Sequence, residues 1–100
     1  MNKYPKKLLV IITEASLESA LMARVMSLGA HGYTVYPVRG RGSTETREGA
    51  WEADRTIEMK VICDATLADQ IAENVLDAYG ANYALTLFFA DVDVLRAGKY

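Results

Sequence analysis

The sequence is poor in the residues that most often build disulfides, metal sites and nucleophilic catalytic sets. It has one cysteine, Cys63, and one histidine, His31. A single cysteine cannot form a disulfide within the chain, and one Cys with one His is too small a ligand set for a structural zinc site. The same shortage leaves no straightforward Ser-His-Asp or Cys-His set, so the sequence favours a protein that is not an enzyme. We expect Cys63 to be a plain core residue.

Long hydrophobic runs and a strong excess of one charge are also missing. No apolar run approaches the roughly 20 residues that span a bilayer, and no signal-peptide cleavage pattern follows residues 1–7. We therefore expect a cytoplasmic protein without membrane insertion. The net charge of −2 lacks the basic character that phosphate-backbone binding requires, so nucleic acid is not an expected partner. With 100 residues, of which 51% are hydrophobic, the chain is expected to form one domain over residues 1–100.

Four segments have the composition and periodicity of β-strands. Residues 8–13 and 83–90 form apolar runs typical of strands buried on both faces. Residues 33–38 are rich in β-formers, and residues 56–61 alternate strictly between polar and apolar side chains. Pro37 cannot donate a hydrogen bond within a sheet, so the second strand is predicted to lie at an edge or to carry a bulge.

Two segments have the apolar spacing of α-helices. The first covers residues 16–28, where apolar residues recur at intervals of four, four and three, and Gly29 is expected to end it. The second is predicted to open with a capping box formed by Thr66 and Asp69 and to end before Gly80.

The resulting order, βαββαβ, predicts a ferredoxin-like α+β fold. Two right-handed crossovers place both helices on one face of a four-stranded antiparallel sheet. The opposite face is left bare, although the first and last strands are apolar on both sides. Because so much exposed hydrophobic surface is unusual for a monomer, we expect this face to meet other copies of the chain. The alternatives are that one strand is mispredicted or that residues 91–100 cover the face.

The segment Arg39-Gly40-Arg41-Gly42-Ser43 has the composition of an anion-binding loop. Glycines let backbone N–H groups approach an oxyanion, and arginine supplies planar donors that match a phosphate. The dinucleotide pattern Gly-x-Gly-x-x-Gly and the phosphate loop Gly-x4-Gly-Lys-Ser/Thr are both missing. Simple turn chemistry is therefore the alternative to phosphate binding.

Together with Thr13-Glu14, residues 29–35 and Arg47, this segment resembles the PII-like signalling superfamily. The similarity covers most of residues 8–95, and it is closest to the members associated with bicarbonate transporters and carboxysomes. It implies a homotrimer with nucleotide sites in the clefts between subunits. Each site would be closed by the long flexible loop after the second strand, which the family calls the T-loop and which here spans about residues 42–55.

The resemblance also implies the positions of a nucleotide site. Thr34 would lie near the adenine or ribose, the glycine-containing segment would surround the phosphates, and Arg47 would reach back to them. The implied nucleotide-binding residues are Thr34, Arg39, Gly40, Arg41, Gly42, Ser43 and Arg47. Arg39 and Arg41 replace less charged residues of the relatives. No metal or other cofactor is implied.

Two departures from the classical nitrogen-signalling PII proteins bear on the ligand. Residues 42–54 contain no tyrosine, so the uridylylated residue is missing. Only Gly80-Ala81-Asn82 joins the second helix to the last strand, in place of a glycine- and lysine-rich phosphate loop. These departures favour ADP, AMP or a cyclic nucleotide such as cyclic AMP over ATP.

The function that the resemblance implies is regulatory. Binding of an adenine nucleotide would change which protein this chain docks to, and the regulated process would be inorganic carbon acquisition. Bicarbonate is a further candidate ligand. Candidate partners are a bicarbonate transporter or a carboxysome-related protein. The alternative is a ferredoxin-like small-molecule or metal-tolerance sensor unrelated to carbon metabolism. An enzyme such as an acylphosphatase would need an arginine-bearing phosphate loop between the first strand and the first helix. The segment Thr13-Glu14-Ala15-Ser16 at that place contains no arginine, so the sequence does not support this enzyme.

Four other residues have two interpretations each. Glu58 and Lys60 share a face of the third strand, where they form either a polar site or a solvated strand surface. Trp51 either anchors a partner or folds back onto its own subunit. His31 is either a pH-sensitive group or a complement to the dipole of the first helix.

Overall fold

The computed structural model describes residues 1–40 and 55–100, and within these ranges it has the predicted order of four strands and two helices. The elements are β1 (Tyr4–Glu14), α1 (Glu18–Ser27), β2 (Thr34–Val38), β3 (Thr56–Cys63), α2 (Ala65–Tyr79) and β4 (Leu85–Val94). Short 3-10 turns occupy Ala15–Leu17 and Ala97–Lys99. No helix in the described part of the chain is long and apolar enough to cross a bilayer.

The four strands form one antiparallel sheet in the order β2-β3-β1-β4. β2 therefore lies at an edge, as Pro37 predicted. Val38, the last residue of β2, pairs with Thr56, the first residue of β3. The chain thus leaves the sheet and returns to it at the same pair of residues.

One face of the sheet is covered by the two helices and carries the hydrophobic core. The apolar residues that recur along each predicted helix point into this core, because residues spaced three and four apart lie on the same side of a helix. The core takes buried side chains from β1, β3 and both helices: Leu9, Ile11, Leu17, Leu21, Val25, Met59, Val61, Cys63, Ile71 and Val75. The expectation that Cys63 is a core residue is confirmed. Burial raises the pKa of its thiol above the usual value.

The face away from the helices, which we call the open face, is apolar along β1 and β4. Val10 lies on it between Lys60 and Phe88 and is only 1% exposed. Phe88 remains 48% exposed on this face, while its neighbour Phe89, on the other side of the edge strand, is 44% exposed. The predicted excess of apolar surface is therefore present.

The predicted start of the second helix is wrong. α2 begins at Ala65 with Asp64 as its N-cap residue, and Thr66 lies within the first turn. β3 extends to Cys63, and Asp64 is the extended residue at which the chain turns into the helix. The carboxylate of Asp64 makes no capping hydrogen bond and instead accepts one from the Lys6 ammonium at 2.6 Å.

The last strand begins and ends later than predicted. Ahead of it, the Thr13 hydroxyl donates to the Ala84 carbonyl at 2.6 Å, and the Ala84 N–H donates to the Glu14 carboxylate at 3.1 Å. These two bonds occupy the backbone of Ala84, and β4 then runs to Val94, which pairs with Tyr4. The first part of the segment 91–100 therefore extends the sheet and does not cover the open face.

The C-terminus of α1 requires a glycine. Gly29 has φ +117°, and its N–H donates to the Met26 carbonyl at 3.1 Å, while the Ala30 N–H donates to the Val25 carbonyl at 3.1 Å. This positive φ is accessible to glycine and unfavourable for other residues. The predicted end of the first helix at Gly29 is confirmed.

We expect Gly29→Ala to lower the free energy of unfolding by about 1 to 2 kcal/mol, because an alanine would be strained at this φ. An added Cβ would meet only the Leu67 side chain, at 3.9 Å, so backbone strain is the main cost. Urea denaturation at one fixed protein concentration measures the change. Gly32→Ala is the control: its φ is not positive and no atom lies within 4 Å of an added Cβ. Equal stability of the two variants would contradict the prediction.

Candidate functional site

The open face contains a cavity of about 390 Å³ at the end of the sheet where β2 begins. A volume of this size is in the range of sites that bind small molecules. Its walls come from the turn before β2, from β2 and β3, and from the last two residues of the chain. The lining residues are His31, Gly32, Tyr33, Thr34, Tyr36, Lys60, Ile62, Lys99 and Tyr100.

Three polar side chains are joined beside this cavity by the pairing of β2 with β3. Tyr36 pairs with Glu58, and its hydroxyl donates a hydrogen bond to the Glu58 carboxylate. The Lys60 ammonium lies 3.7 Å from the same carboxylate and 5.3 Å from the centre of the Tyr36 ring. The Glu58 side chain is only 18% exposed. Within this cluster the Glu58 carboxylate is hydrogen-bonded and largely shielded from solvent, whereas the Lys60 side chain is 43% exposed.

The neighbours of Lys60 favour its charged form. Hydrogen bonding with Tyr36 raises the pKa of Lys60 above its usual value, and the negative charge of Glu58 adds to the effect. Lys99 brings a second ammonium group to the cavity wall. The cavity thus combines two cationic side chains with the rings of Tyr33, Tyr36 and Tyr100. Such a lining suits a ligand that has both a flat aromatic part and a negative charge.

Of the seven predicted site residues, Thr34 lies in the cavity wall. Arg39 and Gly40 are exposed and follow β2 at its other end. At about 3.3 Å per residue, Arg39 is roughly 17 Å along the chain from Thr34. The structure therefore does not bring Thr34 together with Arg39 and Gly40 within one subunit. The predictions for Arg41, Gly42, Ser43 and Arg47, and for Trp51, fall outside the described residues.

Sequence reasoning missed several residues of the cavity. The sequence predicts a strand at Tyr36 but no role for its side chain, because its partner Glu58 lies 22 positions away and the register of β2 on β3 has no local signal. Alternation along β2 does place Tyr36 and Thr34 on one face, which was a usable clue. Lys99 and Tyr100 follow the last strand, where no periodic pattern indicated their position.

A second cavity, of about 490 Å³, lies where the chain leaves β2 and enters β3. Its walls include Pro37, Arg55, Ser16 of the 3-10 turn and Ser19 in the first turn of α1. The Ala15 N–H donates to the Arg55 carbonyl at 2.8 Å, so the start of β3 is tied to the end of β1 here. In the described part of the chain, no group of three or more His, Cys, Asp or Glu side chains could hold a metal ion.

These features define the class of the protein: a ferredoxin-like α+β domain with a cavity on the face that its helices leave open. The family model for the nitrogen regulatory protein P-II matches residues 6–99. The chain therefore belongs to the P-II family, and the resemblance noted from its sequence is confirmed.

Solved structures agree with this assignment. A PII-like signalling protein from Thermus thermophilus is 35% identical with a TM-score of 0.86, over 100% of this chain and 99% of that one. CPII, a nitrogen regulatory PII-like protein from Thiomonas intermedia, is 26% identical with a TM-score of 0.86, over 98% of this chain and 95% of that one. That structure of CPII is bound to ADP, AMP and bicarbonate. In a further structure, CPII is bound to ADP and bicarbonate, with 25% identity, a TM-score of 0.85 and coverage of 98% and 96%.

The bond between Tyr36 and Glu58 can be measured with a double-mutant cycle. We expect Tyr36→Phe and Glu58→Gln each to lower the free energy of unfolding, since each removes one partner of a partly buried, charge-assisted hydrogen bond. The double variant should be less destabilised than the sum of the two single variants, with a coupling of about 1 kcal/mol. Urea denaturation of the four proteins gives this value. Additive effects would show that the bond contributes nothing to the fold.

Proposed function

We propose that this protein is a PII-like regulatory protein that binds ADP or AMP in the cavity next to Thr34. The observation that carries the proposal is this cavity, because its tyrosine rings and two ammonium groups suit a purine base and a phosphate. Thr34 would contact the adenine or ribose, as the family resemblance implies. The related CPII, which is bound to ADP and AMP in its structure, supports the same ligand class, and cyclic AMP is a further candidate.

The complete site is a cleft between subunits of a homotrimer. Arg39 and Gly40 lie roughly 17 Å and 20 Å along the chain from Thr34, so the cavity of one subunit needs another source of phosphate contacts nearby. The segment after β2 of a neighbouring subunit would supply them, with Arg39, Gly40, Arg41, Gly42 and Ser43 around the phosphates. The exposed Phe88 on the open face supports burial against another copy.

Residues 42–55 act as the T-loop of a single PII-like domain that spans residues 1–100. Arg47 reaches from this loop to the phosphates, and ligand binding changes the surface that the loop presents to a partner. Bicarbonate is a second ligand, a role supported by its presence in the CPII structures. The regulated process is inorganic carbon acquisition, and the partner is a bicarbonate transporter or a carboxysome-related protein.

The protein works by binding and does not catalyse a reaction on the nucleotide. The P-II family is regulatory, and the cavity contains one histidine among aromatic and cationic residues, which suits recognition. We infer that the protein acts in the cytoplasm.

The expected assembly is a trimer with a mass of about 33 kDa, three times that of the 11.0 kDa chain. Burial of the apolar open face of β1 and β4 would drive the association. Light scattering coupled to size exclusion, at micromolar concentration, measures the mass. A monomeric mass under these conditions would contradict the trimer and, with it, a nucleotide site in the cleft between subunits.

Calorimetric titration with AMP, ADP, ATP and cyclic AMP, with and without bicarbonate, tests the ligand. We expect ADP or AMP to bind most tightly. Arg47→Ala should weaken that binding by roughly ten- to a hundredfold, because a charge-assisted bond to phosphate contributes about 1.5 to 3 kcal/mol. Its thermal midpoint without ligand should stay within a degree or two, since a loop substitution usually costs within about 0.5 kcal/mol.

Lys3→Ala is the control for this titration, since it removes one positive charge at an exposed position before β1. It should bind as the parent protein does. If no adenine nucleotide binds the parent protein, the proposal is wrong, and a ferredoxin-like sensor unrelated to carbon metabolism becomes the better interpretation. Equal binding by the Arg47→Ala variant and the parent would refute only the role of Arg47.

A further inference from the structure

One carboxylate is held directly behind the cationic and aromatic wall of the cavity beside Thr34. Glu58 is bonded to two residues of that wall: the Tyr36 hydroxyl donates to its carboxylate, and the Lys60 ammonium lies 3.7 Å from it. Tyr36 is the strand partner of Glu58, and Lys60 follows two positions later on the same face of β3. The strand pairing therefore fixes a negative charge next to the cavity.

This carboxylate is shielded from solvent more than the lysine that it faces. The Glu58 side chain is 18% exposed, whereas the Lys60 side chain is 43% exposed. Water and salt screen a partly buried charge less than a charge on the open surface. The field of Glu58 therefore reaches a group bound in the cavity, and it acts there together with the field of Lys60.

The charge that the cavity offers to a ligand is smaller than its lysines suggest. The side chains of the cavity wall include two ammonium groups, those of Lys60 and Lys99. Glu58 forms an ion pair with the first of them, so it offsets about half of this positive charge. A ligand with a modest negative charge matches what remains, and a ligand with a large negative charge exceeds it.

We propose that Glu58 is a specificity-determining residue that limits the number of phosphates on the bound nucleotide. The inference rests on the proposed function, because it requires a nucleotide in the cavity beside Thr34. Each further phosphate must leave water, and in the cavity it meets a Lys60 ammonium that is already paired and a Glu58 carboxylate that repels it. The residue thus selects AMP over ATP, and Tyr36 holds its carboxylate in place.

A purely structural role for Glu58 leads to a different expectation. If the residue only stabilised the pairing of β2 with β3, its loss would weaken the binding of every ligand of the cavity by a similar factor. A residue that acts through its charge changes binding in proportion to the charge of the ligand. Adenosine, which carries no phosphate, therefore distinguishes the two roles when it is compared with AMP and ATP.

The test is calorimetric titration of the full-length protein with adenosine, AMP and ATP, at low ionic strength and without divalent cations. Glu58→Gln keeps the size of the side chain and an acceptor for the Tyr36 hydroxyl, but it removes the charge. We expect it to raise the affinity for ATP relative to AMP by roughly five- to tenfold and to leave the affinity for adenosine unchanged. Sodium chloride at about 0.5 M should reduce this gain, because salt screens the interaction.

Three further variants serve as controls, and far-UV circular dichroism checks that each is folded. Asp91→Asn removes a carboxylate that also pairs with a lysine, Lys7 at 2.5 Å, but on the helix side of the sheet, so all three affinities should equal those of the parent. Glu58→Asp keeps the charge and should keep the parent's ratio of AMP to ATP affinity. Lys60→Gln should act in the opposite direction and weaken ATP binding more than AMP binding.

If the parent binds AMP and Glu58→Gln leaves the ratio of AMP to ATP affinity unchanged, the inference is wrong while the proposed function stands. An equal loss of affinity for adenosine, AMP and ATP in this variant would also overturn it, since that result shows a structural role. Should Glu58→Gln fail to fold, an unchanged ratio in Lys60→Gln would refute the inference in its place. A parent protein that binds no adenine nucleotide would refute the proposed function and the inference with it.

Discussion

β1 is the element on which the rest of the structure depends, because it is bonded on both edges and buried on both faces. It pairs with β3 from Lys7 to Glu14 and with β4 from Tyr4 to Thr13. Leu9 and Ile11 fill the helix side, and Val10 fills the open side. A shift of one residue in either pairing would exchange the two faces of the neighbouring strand. The burial of these three side chains therefore fixes which residues of β3 face the helices and which face the cavity.

The open face has two chemically distinct parts. At the start of β2 it carries the hydrogen-bonded cluster of Tyr36, Glu58 and Lys60, and toward β4 it becomes apolar, with Phe88 exposed. A ligand in the cavity and a second copy of the chain on Phe88 would thus share one surface. Under the proposed function, binding and association would be coupled, and each would change the equilibrium of the other by the same factor.

The fold could be predicted because its signals are local. The stripe of Leu17, Leu21 and Val25, the break at Gly29 and the proline in β2 each act through neighbours a few positions away. The start of α2 could not be placed, since both Asp64 and Thr66 are good N-cap residues and the choice follows from where β3 ends. The boundary was therefore set by strand pairing and not by capping preference.

The candidate site was harder to predict because its contacts join distant positions. Thr34 was identified through the family resemblance, whereas the bond between Tyr36 and Glu58 depends on a strand register that no nearby residue specifies. The contact of Lys6 with Tyr100 spans 94 positions. Hydrophobic periodicity carries no information on such a contact, since it reports which face a residue occupies and not which residue it meets.

The pairing of Val38 with Thr56 places the two ends of the segment between them side by side in the sheet. Its 17 residues, 39–55, begin and end at one rung of the ladder, so the sheet imposes nothing on their number. Doubling the length of a flexible connection adds only about 0.6 kcal/mol of closure entropy. A change in the length of this segment therefore requires no change in the pairing of Val38 with Thr56. Under the proposed function, the partner would thus be selected by a stretch of sequence whose length the strand pairing does not restrict.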